Sequence, residues 1–71
     1  MGGVEKVIKE NLDEAYKLIF YTIGLVDELR PRGKPTSNKA KYYNLLYYLL
    51  RVIEACFVAI RILNYTFEGK K

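Results

Sequence analysis

The chain has no histidine, no tryptophan and no glutamine, and its one cysteine is Cys56. Without an imidazole, several chemistries drop out: His-bearing zinc sites, general acid–base work by histidine, and serine or cysteine nucleophiles that lean on a histidine. The Arg-x4-6-His signature of helical ribonuclease bundles drops out for the same reason. One cysteine closes no disulfide within the chain. A lone thiol fits a reducing compartment, so a cytoplasmic location is expected. No basic residue lies within one helical turn of Cys56, so it reads as a small core filler. A phosphate-cradling glycine loop is missing too, because Arg32-Gly33-Lys34 lacks the required glycine spacing.

Long uncharged runs are also scarce. Leu18 to Val26 carries no charge but is nine residues long. Tyr42 to Leu63 has the length to span a bilayer but contains Arg51, Glu54 and Arg61. Each central charge costs about 2.5–3.5 kcal/mol on insertion scales, so no membrane span is expected. The start, Met1-Gly2-Gly3-Val4-Glu5-Lys6, shows no secretory signal, and Lys6 breaks the myristoylation pattern.

What is present is helix-forming and apolar. Hydrophobic residues reach 51% of 71, with a net charge of +4. Lys, Glu, Ile and Tyr are frequent, a bias found among hyperthermophile proteins. The chain reads as one domain, residues 1–71, in three pieces. A first helix is expected over about residues 4–29, where Ile8, Leu12, Ala15, Ile19, Thr22, Val26 and Leu29 keep helical seam spacing. Glu5/Lys9 and Asp13/Lys17 support it at i,i+4. Gly24 either permits a close backbone approach or weakens the helix by about 1 kcal/mol relative to Ala. A basic turn follows over 30–38, holding Pro31 and Pro35. Thr36, Ser37 or Asn38 caps a second helix over about 39–67, which Gly69 stops, leaving Lys70 and Lys71 to fray.

The second helix is apolar on too many sides for one neighbour. Tyr42, Leu46, Leu49, Ile53, Cys56, Ile60, Leu63 and Phe67 form one 4-3 row, expected to face the first helix. Beside it runs a second row, Leu45, Tyr48, Val52, Ala55, Ala59 and Ile62, expected to form a dimer interface. Asn44, Arg51, Glu54, Arg61 and Glu68 form the polar row, where Arg51 and Glu54 read as a surface ion pair. A domain this small, lacking disulfides and metal, relies on oligomerisation. The expected fold is therefore all-α: an antiparallel two-helix hairpin assembling into a homodimeric four-helix bundle. Ala55 and Ala59, four apart, permit close backbone approach. The arrangement resembles Rop-type hairpin dimers in layout, with no shared motif.

Two clusters bear on chemistry. Arg30, Arg32, Lys34, Lys39 and Lys41 place five positive charges in twelve residues, so the remainder nets −1 (4 − 5). With Tyr43 and Tyr47 they make a candidate surface for RNA or single strands, through phosphate neutralisation and base stacking. The competing reading is a solvated loop beside interface tyrosines, with Arg30 or Arg32 offsetting Asp27 and Glu28. Glu10-Asn11-Leu12-Asp13 resembles half of the carboxylate set that holds magnesium in all-helical nucleotide pyrophosphohydrolases. The second half is missing, and the pair reads as a solvated face. Neither catalysis, nor a metal, nor a cofactor is expected. The function expected is a non-enzymatic oligomerisation module associating with nucleic acid through the basic turn. The alternative is a scaffold or regulatory subunit docking on another protein through the second helix or a Phe20/Tyr21 patch.

Overall fold

The computed structural model describes residues 2–69. Lys70 and Lys71, expected to fray, lie outside them. Two helices, α1 (Gly2–Leu29) and α2 (Asn38–Gly69), pack against each other as an all-α hairpin.

The break between them has local causes. Arg30 N–H donates to the Val26 carbonyl at 2.9 Å, closing the last turn of α1. Pro31 follows, and its ring disfavours helical geometry at Arg30. Ser37 then opens α2. Its Oγ accepts from Ala40 N–H at 3.1 Å, and its carbonyl accepts from Lys41 N–H at 3.0 Å. That is N-cap geometry, which satisfies one donor that the first turn leaves orphaned. Gly24 meets no atom within 4 Å of where a Cβ would stand, so it serves no close approach.

The core is small. Among the described residues Ile23, Val26 and Leu50 are the buried hydrophobic ones, at 6%, 6% and 8% exposure. Ile19, Tyr43, Leu46 and Tyr47 pack around them. On α1 the inward row includes Leu12, Ala15, Ile19, Thr22 and Val26, the central members of the expected seam. Ile8 and Leu29, its ends, are exposed.

α2 takes a different rotation from the one its apolar rows predict. Ala40, Tyr43, Tyr47, Leu50, Glu54, Phe57 and Asn64 turn toward α1. Of the 4-3 row expected there, Leu46 and Ile60 are half-buried, while Tyr42, Leu49, Ile53, Cys56, Leu63 and Phe67 are exposed. Cation–ring and ion-pair contacts account for the choice. Arg30 of the turn lies 3.9 Å over the Tyr47 ring, and Arg61 lies 4.9 Å from the Tyr16 ring. Tyr16 meets Phe57 edge-on at 6.4 Å, and Lys9 pairs with Glu68 at the open end. These contacts need the mixed flank of α2 against α1, so the wholly apolar flank is left outside.

The hairpin is long and thin, 53 × 20 × 14 Å, with a radius of gyration of 16.2 Å. A compact chain of this length would have a radius of about 11 Å. The accessible surface is 6124 Å², against roughly 4,600 Å² for a folded monomer of this mass.

Candidate functional site

Two surfaces stand out: the outer side of α2 and the basic turn. The outer side of α2 is apolar along most of its length. Leu45, Val52 and Ile62 are 61%, 61% and 62% exposed, and Tyr48, Ala55 and Ala59 are exposed with them. These six, proposed from sequence as an interface, lie clear of α1. Leu49, Cys56 and Leu63 lie among them and are exposed too. The sequence pattern assigned those three to the contact with α1; the rotation of α2 adds them to the free face.

Between Leu45 and Leu63 charges keep away from this side, and Lys41, one turn before Leu45, bounds it at the turn end. Arg51 and Arg61 turn toward the α1 edge, where Arg51 pairs with Glu54 at 2.9 Å. The Glu54 side chain is only 15% exposed. The Arg51–Glu54 pair was expected as a surface contact; its acidic member instead lines the edge of the hairpin seam.

At the basic turn the five cations do not act alike. The Arg30 Nε donates to Asp27 Oδ1 at 2.6 Å, and its guanidinium covers the Tyr47 ring. The hydrogen bond to Asp27 is the main cause of a raised Arg30 pKa, so that group stays charged. Arg51 approaches the same ring at 5.9 Å. Tyr43 is half-buried against the core and meets Tyr42 edge-on at 5.2 Å. Arg30, Tyr43 and Tyr47 are therefore engaged within the hairpin. Arg32, Lys34, Lys39 and Lys41 are exposed and form no ion pair among the described residues. That division between engaged and free cations carries no signal in composition or spacing.

The remaining candidates offer less. Phe20 and Tyr21 are exposed, but successive positions stand about 100° apart round a helix, and Phe20 leans on Tyr16 at 6.3 Å. Glu10 and Asp13 are exposed on α1. Among the described residues no three His, Cys, Asp or Glu side chains converge as a metal site. A groove lined by Lys9, Leu12, Phe57, Arg61 and Asn64 lies open to solvent at the far end from the turn. Among the described residues no helix is long and apolar enough to cross a membrane.

No protein-family model, curated protein sequence or solved structure matches the chain.

Proposed function

We propose that the chain is a non-enzymatic self-association module, a hairpin whose outer α2 face is closed by a second copy to make a homodimeric four-helix bundle. The observation that carries this reading is the surplus of surface. The chain exposes 6124 Å², about 1,500 Å² more than the roughly 4,600 Å² expected for its mass. A standard interface covers about 800 Å² per partner, and obligate dimers cover more. The surplus is of the size a stable dimer removes, and the apolar outer face of α2, with Leu45, Val52, Ile62 and Leu63 more than 60% exposed, is a surface that a second copy can cover.

Sedimentation equilibrium at micromolar concentration tests the proposal. A mass near twice 8.3 kDa is expected. A fully helical monomer would refute it. Such a monomer that then bound lipid vesicles, or one defined protein, would hand the α2 face to that occupant.

A second reading, nucleic-acid association at the turn, is favoured by one observation: Arg32, Lys34, Lys39 and Lys41 are exposed and unpaired among the described residues. With Tyr43 and Tyr47 half-buried against the hairpin, the contacts these four cations offer are phosphate contacts, which are sequence-independent and salt-sensitive. Fluorescence-anisotropy titrations at two salt concentrations test it. Replacing Arg32 and Lys34 by Ser should flatten the dependence of log K on log salt by about 0.9 per lost duplex contact. Absence of binding to RNA or DNA at low salt would end this reading and leave self-association standing.

A further inference from the structure

Five residues of α2 that face α1 are each followed two places later by an exposed apolar one. Tyr43 is followed by Leu45, Tyr47 by Leu49, Leu50 by Val52, Glu54 by Cys56, and Phe57 by Ala59. Two steps of a 3.6-residue helix turn through about 200°. The outer stripe therefore lies opposite α1 rather than beside it. Leu45, Leu49, Val52, Cys56, Ala59 and Leu63 are spaced 4-3-4-3-4, a knobs-into-holes seam. In a square four-helix bundle each helix turns one stripe toward a shared axis. A helix with two seams on opposite sides sits between two neighbours.

We propose that α2 pairs back to back with α2 of the second copy in antiparallel register, giving a flattened order of α1, α2, α2 and α1. This rests on the self-association reading and specifies its geometry. The stripe is symmetric about Glu54, so a twofold axis there sets residue i opposite residue 108 − i. Leu45 then faces Leu63, Leu49 faces Ala59, and Val52 faces Cys56. The largest mismatch in the stripe is thereby matched, Leu49 against the small Ala59, while Val52 meets Cys56 and Leu45 meets Leu63 in layers of like size. A parallel, in-register pair would oppose Leu49 to Leu49 and Ala59 to Ala59, crowding one layer and hollowing the other.

Charge selects the same orientation. Arg32, Lys34, Lys39 and Lys41 all lie at the turn end of the hairpin. Parallel copies would bring both sets together, eight like charges at one end. Antiparallel copies separate them to opposite ends, and each α2 dipole meets its reverse.

The test is a spin-label distance. In a Cys56→Ala background a label at Lys39→Cys, an exposed position outside the stripe, reports the orientation. Lys39 is fifteen residues from the axis, so the two labels stand roughly 45 Å apart along antiparallel helices at 1.5 Å per residue. A distance below about 25 Å in a sample that sediments as a dimer overturns the antiparallel pairing and leaves self-association intact. An 8.3 kDa species with no dipolar coupling overturns self-association itself. A second measurement uses Leu45→Cys and Leu63→Cys chains, each in the Cys56→Ala background. Antiparallel pairing cross-links them only when the two are mixed. Cross-linking of either chain with itself, and not with the other, refutes the pairing.

Discussion

Ala59→Glu separates a surface that happens to be apolar from one that is buried on association. In the hairpin alone, position 59 is exposed, and a glutamate there remains hydrated. An exposed substitution of this kind costs within about 0.5 kcal/mol. Closure of the α2 face by a second copy, as proposed, would change the environment. The carboxylate would meet Leu49 of the second copy, with no cation at hand. Arg61, two residues on, points to the other side of α2 and stacks on Tyr16 at 4.9 Å. An uncompensated buried charge costs about 3–5 kcal/mol, and a dimer carries two of them. At about 1.4 kcal/mol per decade, a total near 6 kcal/mol raises the dissociation constant by roughly four decades. Sedimentation equilibrium across a dilution series, with circular dichroism on the same samples, reads both mass and helicity. The control is Lys17→Glu on the exposed side of α1, which should leave the dimer unchanged. An Ala59→Glu dissociation constant within tenfold of the wild type would refute burial of this face.

Three further outcomes follow from contacts described above. Ser37→Ala removes the cap on Ala40 N–H and should lower stability by about 1 kcal/mol in denaturant melts, with Ser37→Gly costing less. Gly24→Ala, at a helical position with open space around it, should raise stability by about 0.5–1 kcal/mol; a loss would mean that the site is crowded. Arg30→Ala should lower the Tm more than Arg32→Ala, because Arg30 alone of the two holds both Asp27 and the Tyr47 ring. The reverse order would place the turn differently.

The hairpin was legible in the sequence because its signals are local. Two prolines in a polar segment punctuate the chain, and Ser37 is a cap residue ahead of a long apolar stretch. The seam of α1 was legible because its central stripe has one phase, with most of the acids and lysines on the opposite side, where Phe20 and Tyr21 are exposed among them. The rotation of α2 was not. Apolar residues occupy so much of its circumference that periodicity fits several rotations almost equally. The contacts that pick one are specific: Arg30 over Tyr47, Arg61 over Tyr16, and Tyr16 against Phe57. None leaves a mark in hydrophobic spacing. For the same reason the sequence grouped Arg30, Tyr43 and Tyr47 with the free cations. It shows that charges and rings are near in the chain, but not that they satisfy one another.

The three-residue core also bears on how much folded protein exists at a given abundance. When the free face of α2 is closed by another copy, folding and association share one equilibrium, and the stability of each chain depends on how many others surround it. Tenfold dilution then weakens the folded state by about 1.4 kcal/mol, more than loss of the Ser37 cap would. Under that coupling the midpoint of thermal unfolding would climb with protein concentration, and a cell making little of this chain would keep less of it helical than one making much.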